Sequence, residues 1–334
     1  MSRSIMNKNE QELLSLMQPF SITEGEEKVA NKEARALLDF VDDIVAGGQG
    51  DDISPETWHV YLNITGRSKF LKGLGSHADC HRWADSMFGI VDSSKYTLQT
   101  MFEQRVAEHP ERHLFREVDK GALLWRYEQV YTYMKKIAAA FYSALEEPRV
   151  LLYLDNSPDG ACTDLACLTF GILDSPIDRH FDRDTIAFIV EKLGINIVVT
   201  DTETRLNRLI DVQNQTGMPL KIFVTDPHNR ALRDDDLYLG EACSYISADE
   251  ADEILAKRPP RDLHAVSTVM FTSGSTGEPK GVAFTNYNLV TKRFARAAAL
   301  PEVGHDEVLF CYLPLFHTFG RYLEMMGMLY WGGT

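Results

Sequence analysis

One short run, residues 268–284, limits most strongly how this chain can fold. It opens with a β-prone apolar segment, residues 268–271, and closes with a second apolar segment, residues 282–284. Between them, hydroxyl side chains alternate with glycines and are followed by a Pro-Lys-Gly triplet. This order predicts a buried strand, a tight loop and a second strand.

The predicted loop has the composition of an anion-binding site. Gly274 and Gly277 can adopt positive φ angles and let the backbone approach a bulky group closely. Successive backbone N–H groups in such a loop form a concavity that binds anions, and Lys280 adds a cation. The hydroxyl donors are Thr272, Ser273, Ser275 and Thr276. A polyphosphate fits this set, although the run is not a Walker A loop, which would end in Gly-Lys-Ser/Thr.

From Thr272 to Val282 the run resembles the phosphate-binding signature of the adenylate-forming superfamily, T-S-G-S/T-T-G-x-P-K-G-V, at every position. That superfamily comprises acyl-CoA synthetases, luciferases and the adenylation domains of peptide synthetases. The resemblance implies that residues 272–277 and Lys280 bind ATP. It also implies that Thr276 is a ligand of Mg²⁺ and that Lys280 acts in catalysis.

Composition excludes some classes of partner. The 334-residue chain is 44% hydrophobic and 25% charged, which is ordinary for a globular protein. Its net charge of −15 argues against nucleic-acid binding and allows at most peripheral membrane contact. The first residues lack the apolar segment of a signal peptide, and no apolar run has transmembrane length. We therefore expect a cytoplasmic location.

The cysteines and histidines give no metal motif. The five cysteines are scattered without a C-x-x-C pair, which predicts buried free thiols in a reducing compartment. His77 and His81 have H-x₃-H spacing and could share a helix face. Because no second ligand pair at structural-zinc spacing accompanies them, we predict no metal there.

Residues 1–94 are predicted to form a helical N-terminal extension. Apolar periodicity indicates helices at 10–17 and 26–45, and Ser54 followed by Pro55 marks the start of a third. Short helices and turns are expected from 66 to 89. This segment has no family resemblance, and we interpret it as packing against the main body or as a docking surface.

From about residue 95, strands and helices alternate, which predicts an α/β fold with a parallel sheet covered by helices on both faces. A helix at 97–112 and a hairpin at 113–127 come first. The predicted strands are 149–154, 171–175, 196–200 and 220–224, and the predicted helices are 129–145, 159–170, 182–193 and 202–213. Residues 226–262 are expected to be an irregular surface connection. Residues 164–171 and Pro176 match a second family block and are assigned to packing.

After the loop, the pattern predicts a helix at 286–298, a strand at 308–312 and an apolar helix at 321–330. Residues 313–321 resemble the next family signature, L-P-L-x-H-x-F-x-R. The resemblance implies that Phe316 and His317 border the carboxylate end of an acyl pocket, with a plain core turn as the alternative. His317 would then act in catalysis as a hydrogen-bonding group. The motif, through Arg321, favours long-chain fatty acyl ligases over peptide-synthetase domains.

The resulting hypothesis is an acid–thiol ligase. With ATP and Mg²⁺ it would convert a carboxylic acid, expected to be a fatty acid, to an acyl-adenylate and then to a thioester of CoA or of a carrier protein. The family's adenosine-binding segments and its adenylation lysine do not occur by Thr334. We therefore interpret residues 95–334 as part of the large domain, inactive alone. The alternatives are a non-catalytic nucleotide- or acyl-binding or docking module, and amino-acid or aryl-acid adenylation.

Overall fold

A computed structural model describes residues 7–21, 31–118, 123–229, 232–259, 262–272 and 279–334. In these ranges the α-helices are α1 (Lys8–Met17), α2 (Asn31–Ala46), α3 (Pro55–Thr65), α4 (Ser68–Leu74), α5 (His77–Ser93), α6 (Leu98–Glu108), α7 (Tyr127–Ala144), α8 (Pro158–Phe170), α9 (Arg183–Leu193), α10 (Glu203–Thr216), α11 (Leu239–Ser244), α12 (Ala248–Ala256), α13 (Asn286–Ala299) and α14 (Met326–Trp331). A π-helix, Phe319–Met325, precedes α14. Within the described ranges, no helix combines the length and hydropathy needed to cross a bilayer.

The strands form two sheets. They are β1 (His113–Arg116), β2 (Leu124–Arg126), β3 (Arg149–Tyr153), β4 (Leu173–Pro176), β5 (Ile197–Thr200), β6 (Lys221–Val224), β7 (Leu237–Tyr238), β8 (Val266–Thr272) and β9 (Lys280–Thr285). The predicted hairpin is the antiparallel pair of β1 and β2. The main sheet has the order β7-β6-β5-β3-β4-β8-β9. Its pairs are parallel except for β8 and β9, which are antiparallel because a loop without a crossover helix joins them.

Helices cover both faces of this sheet, as predicted. Successive residues of β3 point to opposite faces, so Val150 and Leu152 join one apolar cluster while Leu151 and Tyr153 join another. The first cluster includes apolar residues of α7 and α8, and the second includes apolar residues of α9 and α10. The strand is therefore buried from both sides, which explains its continuous apolar sequence.

Clear start and stop signals delimit α8, α9 and α10. Each helix begins with a side-chain cap on a backbone N–H and ends at a glycine with positive φ. The caps are Ser157, Asp182 and Thr202, and the glycines are Gly171, Gly194 and Gly217. These signals explain why the predicted helices lie close to the observed ones.

The prediction that residues 226–262 form an irregular connection is wrong for the described part of that segment. It contains β7, α11 and α12. Ser247 and Glu250 form a reciprocal capping box at the start of α12. Lys135 of α7 holds Asp252 of α12 at 2.8 Å. The exposed face of α12 is acidic, and Ala251 is the one buried residue of the helix. The sequence therefore lacks the apolar periodicity by which a helix is recognised.

The predicted strand at 308–312 is also wrong. Val308, Phe310 and Tyr312 are 71%, 70% and 67% exposed, and no strand is assigned to them. Two ladder-like contacts exist, both with Thr334: the Leu309 N–H donates to the Thr334 carbonyl at 2.9 Å, and the Thr334 N–H donates to the Glu307 carbonyl at 3.1 Å. A strand requires a continuous partner for its backbone groups, and in the described ranges this segment has none.

The N-terminal helices meet the rest of the chain mainly where α4 and α5 pack against α13. The rings of Trp83, Tyr96 and Tyr330 surround Phe294, with centroid distances of 6.0, 5.9 and 5.5 Å. The Tyr330 hydroxyl donates to the Gly66 carbonyl at 2.9 Å. Residues 77–93 form one continuous helix, α5, where short helices and turns were predicted. The extension thus shares an aromatic core with the helices that follow β9 and the π-helix.

Four of the five cysteines are buried, as predicted. Cys311 is exposed, so the prediction is wrong for this residue. It lies in the same unpaired segment as Phe310 and Tyr312, which the sequence had placed in a buried strand.

Replacing Gly66 tests the contact between the extension and α14. A Cβ atom there would lie 2.3 Å from the Tyr330 hydroxyl oxygen, whose ring is buried. We expect Gly66→Ala to lower the free energy of unfolding by about 1–3 kcal/mol through this overlap. The matched control is Gly89→Ala on α5, where nothing lies within 4 Å of the new Cβ. It should raise the free energy of unfolding by about 0.5–1 kcal/mol, because alanine favours helix. Urea denaturation measures both; equal effects would contradict the packing described.

Candidate active site

The two strands that flank the glycine-rich run bring Thr272 and Lys280 together. These residues are cross-strand partners at the open end of β8 and β9, and the Thr272 hydroxyl donates to the Lys280 carbonyl at 3.4 Å. Lys280 is exposed, and its ammonium group forms no ion pair with any described residue. Ser273, Gly274, Ser275, Thr276 and Gly277 lie outside the described residues. The strand–loop–strand prediction is thus confirmed for the strands, and the loop's own contacts stay a prediction.

The loop leaves the sheet at the edge where the parallel strands end. β8 is parallel to β4, with Thr268 opposite Asp174, and the Ser175 hydroxyl donates to the Val269 carbonyl at 2.8 Å. β4 is in turn parallel to β3. The carboxyl ends of β3, β4 and β8 therefore share one edge. Ligands of open α/β sheets bind at such an edge.

The segment that carries Phe316 and His317 is fastened to the same edge. The Asn156 side chain, just beyond β3, donates to the Leu313 carbonyl at 2.8 Å and accepts from the Leu315 N–H at 3.0 Å. The chain then folds back on itself, because a Cβ on Gly320 would lie 2.5 Å from the carbonyl oxygens of Leu313 and Pro314. The predicted site residues that the structure describes thus lie at one edge of the sheet, from two separate parts of the chain.

Phe316 and His317 differ in their surroundings. Their ring centroids are 4.8 Å apart. Phe316 is half-buried over a small cavity of about 20 Å³, which Leu152, Pro176 and Leu315 help to line. That volume holds a water molecule and not an acyl chain. His317 is exposed, and its imidazole makes no hydrogen bond with a described residue. The imidazole is therefore available to a ligand.

Arg321 is fully buried directly behind this segment. Its Nε donates to one oxygen of Asp164 at 2.8 Å and its Nη2 donates to the other. Nη2 also donates to both oxygens of Asp174, at 2.9 and 2.8 Å. Nη1 donates to the Thr268 hydroxyl at 2.7 Å and to the Tyr322 hydroxyl at 3.3 Å. One guanidinium thus joins the π-helix to α8, β4 and β8.

The surroundings of Asp174 favour its protonated form. Burial raises the pKa of Asp174 well above its usual range, and the neighbouring Asp164 raises it further, although Arg321 opposes the shift. Burial opposes the charge of Arg321, but Asp164 and Asp174 together raise its pKa. Burial and the neighbouring carboxyl group thus favour the neutral form of Asp174, while the two aspartates favour the charged form of Arg321.

A second arginine contacts the π-helix from α13. Arg293 is buried and donates to the Tyr322 carbonyl. Burial lowers the pKa of this guanidinium to about 9. Instead of the predicted apolar helix at 321–330, the structure has a π-helix followed by the short α14. We attribute this difference to the two buried arginines, Arg293 and Arg321, which form hydrogen bonds within the first turns of this segment.

Sequence reasoning missed three of these residues. Asn156 was not singled out, Asp164 was assigned to packing, and Asp174 was placed in a predicted strand without comment. The available signal was an isolated carboxylate inside an otherwise apolar run, which occurs at both aspartates. Such groups are rarely buried without a partner. The partner itself, Arg321, lies too far along the chain for spacing to reveal it.

The structure gives no separate metal site. Among the described residues, no group of three His, Cys, Asp or Glu side chains is arranged to hold a metal ion. His77 and His81 lie exposed on α5. Thr276, the magnesium ligand implied by the resemblance, is outside the described residues and stays a prediction.

Comparison with known proteins decides the family. A family model described as "AMP-binding enzyme" matches residues 102–334, well over half of the chain. The chain belongs to this AMP-binding enzyme family. The matched region begins within α6 and includes the strands, the loop and the Phe316–His317 segment.

Several ligases of the AMP-binding family are similar to this chain. Long-chain-fatty-acid–CoA ligase 5 of Mus musculus is 29% identical over 194 residues, covering 55% of this chain and 28% of that protein. Long chain acyl-CoA synthetase 1 of Arabidopsis thaliana is 25% identical over 309 residues, covering 86% of this chain and 43% of that protein. The chain thus spans less than half the length of these relatives.

The fold is shared with solved structures of the same kind. The crystal structure of the anthranilate CoA ligase AuaEII, in complex with anthranoyl-AMP, matches 72% of this chain and 44% of that one. The TM-score is 0.62 and the sequence identity is 12%. At this identity the likeness shows the fold alone. It supports the predicted α/β class, with its mostly parallel sheet layered with helices.

Asp174→Asn tests the proton on Asp174. An acid whose pKa is higher in the folded state keeps a proton that the unfolded chain releases above about pH 4. Wild-type stability should therefore fall as pH rises from about 4 towards the raised folded pKa. Asparagine cannot ionise, so the stability of the variant relative to the wild type should rise over this range, whatever the fixed cost of losing one acceptor for Arg321. Urea denaturation at a series of pH values measures the difference.

The matched control is Asp211→Asn, since Asp211 is exposed on α10. Its stability difference from wild type should stay small and nearly constant with pH. A constant difference for Asp174→Asn as well would show that Asp174 does not hold the proton.

Proposed function

We propose that the natural polypeptide carrying these residues activates a carboxylic acid with ATP. The acid's carboxylate attacks the α-phosphorus, giving an acyl-adenylate and pyrophosphate, and a thiol of CoA or of a carrier protein then takes the acyl group. Membership of the AMP-binding enzyme family supports this reaction class. The observation that carries the proposal is the pairing of Thr272 with Lys280, whose ammonium group forms no ion pair with a described residue, where β8 and β9 meet the glycine-rich run.

The proposed roles follow from charge and position. Thr272, Ser273, Ser275, Thr276 and the loop amides of Gly274 and Gly277 hold the β and γ phosphates. Lys280 stabilises the negative charge that develops on the leaving pyrophosphate. Magnesium, when bound, supplies further neutralisation of the phosphate oxygens, with Thr276 as its protein ligand. The protein thus acts mainly by positioning and by electrostatic stabilisation.

The proposed acid is a fatty acid. Phe316 and His317 border its carboxylate end, and His317 donates or accepts a hydrogen bond there. The exposed imidazole, which has no hydrogen-bond partner in the described ranges, supports this role. The long-chain acyl-CoA ligases among the relatives favour a fatty acid over an amino or aryl acid. The cavity under Phe316 is too small for the acyl tail, so we propose that the tail binds outside this cavity.

The proposed organisation keeps residues 1–94 as a helical extension and 95–334 as part of the AMP-binding large domain. The family model's start at residue 102 supports the division. This chain alone is proposed to bind the polyphosphate of ATP without turnover. The partners are the acid and the acceptor thiol, with no nucleic acid and at most peripheral membrane contact, in the cytoplasm.

Pyrophosphate exchange tests the reaction. Carboxylate-dependent exchange of labelled pyrophosphate into ATP should appear with fatty acids when the natural polypeptide is assayed against fatty, aryl and amino acids. Exchange with aryl or amino acids alone would retain the reaction class and overturn the substrate. If no acid supports exchange while ATP still binds, a non-catalytic nucleotide-binding module replaces the ligase.

Lys280→Ala tests the assigned charge. Loss of this cation should lower kcat of the exchange reaction by on the order of 10²-fold and leave KM for the acid nearly unchanged. The matched control is Lys292→Ala, since Lys292 is an exposed lysine on α13. That control should keep wild-type kinetics. Equal losses in kcat and in acid affinity for Lys280→Ala would contradict the role.

A further inference from the structure

The two halves of the proposed site are connected through one buried group. Thr268 lies on β8, four residues before Thr272 at the start of the loop. Arg321 lies four residues after His317, and its backbone N–H donates to the His317 carbonyl at 3.0 Å. The bond between them, from Arg321 Nη1 to the Thr268 hydroxyl at 2.7 Å, is buried. The strand of the phosphate loop is therefore bonded directly to the π-helix that begins two residues after His317.

We propose that Thr268 and Arg321 are positioning residues that fix the phosphate-loop strand relative to the Phe316–His317 segment. The proposal rests on the proposed function, because it assigns to this contact the task of setting the distance between the acid's carboxylate and the α-phosphorus. Reacting groups must be held about 3–3.5 Å apart and aligned. Misplacement by about 1 Å, even from a remote change, can lower the rate 10²-fold.

The chemistry of the contact suits positioning better than stability. Burying charged groups is costly, and apolar side chains of similar volume often stabilise a core at least as well. A planar guanidinium adds direction, because its five N–H groups point in fixed directions. In this structure every nitrogen of Arg321 donates, to Asp164, Asp174, Thr268 and Tyr322. The side chain therefore has one orientation.

The strand side of the contact is equally fixed. Thr268 lies opposite Asp174 in the β4–β8 pairing, and Arg321 bonds to both residues. The next residues along are joined by the bond from Ser175 to Val269. Four residues of strand extend about 13 Å. The regular geometry of β8 therefore fixes the position of Thr272, at the start of the loop, relative to Thr268. A shift at Arg321 is thus transmitted to Thr272 and not absorbed.

Neighbouring hydroxyls on β8 provide a matched pair of variants. Thr268→Val removes the hydroxyl that accepts from Arg321 and keeps the shape of the side chain. Ser267→Ala removes the adjacent hydroxyl, which is buried without a hydrogen-bond partner among the described residues. Thr268→Ser restores the acceptor. All three variants change a buried position of β8. Thr268→Val is the one that loses the hydrogen bond to Arg321.

The first measurement is hydrogen–deuterium exchange on this 334-residue chain, which needs no activity. The amides of Leu313, Leu315, His317 and Arg321 are hydrogen-bonded, so their exchange reports local opening of the segment. We expect Thr268→Val to speed exchange across residues 313–321 by about tenfold, the effect of losing one hydrogen bond to a charged group. Ser267→Ala and Thr268→Ser should match the wild type. Unchanged exchange in Thr268→Val overturns the coupling.

The second measurement is pyrophosphate exchange by the natural polypeptide. Thr268→Val should lower kcat by about tenfold while KM for ATP changes little, and Thr268→Ser should restore kcat. A loss that follows thermal stability in all three variants would show a structural role alone and overturn the proposal. If the wild type shows no acid-dependent exchange, the proposed function fails, while the hydrogen-exchange result still decides whether the segments are coupled.

Discussion

The buried guanidinium of Arg321 is the interaction on which the rest of the site depends. It lies where a π-helix, α8, β4 and β8 meet, and it bonds to side chains from each of the other three elements. Removing any acceptor would leave a buried donor unpaired, which is far more costly than the net gain of an ordinary hydrogen bond. These bonds stabilise the wide turn of the π-helix, which places Arg321 at this junction and His317 at the sheet edge.

Much of the fold could be predicted from local sequence because its elements are locally determined. Strands buried on both faces have continuous apolar sequences, and α8–α10 are delimited by capping side chains and left-handed glycines. The antiparallel pair β8–β9 follows from the short glycine-rich loop. Residues 308–312 are different, because an apolar sequence signals a strand only if a partner exists, and pairing is a non-local property.

The site was predictable where adjacent residues form it and not where distant ones meet. Thr272 and Lys280 are joined by one loop, so the motif itself places them together. Arg321 meets Asp164 and Asp174 across 157 and 147 residues. Neither aspartate has a local motif, and a carboxylate in a helix usually faces water. The sequence therefore showed the phosphate side of the site and missed the contact that positions it.

The distribution of charge explains how so acidic a chain can offer an anion site. Two acidic residues at the carboxyl edge of the sheet are bonded to arginines: Asp155 to Arg179 and Arg205, and Asp201 to Arg205. Burial opposes the ionisation of Asp155, but these two arginines lower its pKa, so its charge is compensated where it lies. Burial raises the pKa of Asp174, and Arg321 is bonded to both Asp174 and Asp164. Charges compensated in this way exert little field on a ligand, since each anion lies within a few ångströms of a cation. Lys280, with no ion pair among the described residues, is then the charge that an incoming polyphosphate meets at the mouth of the loop.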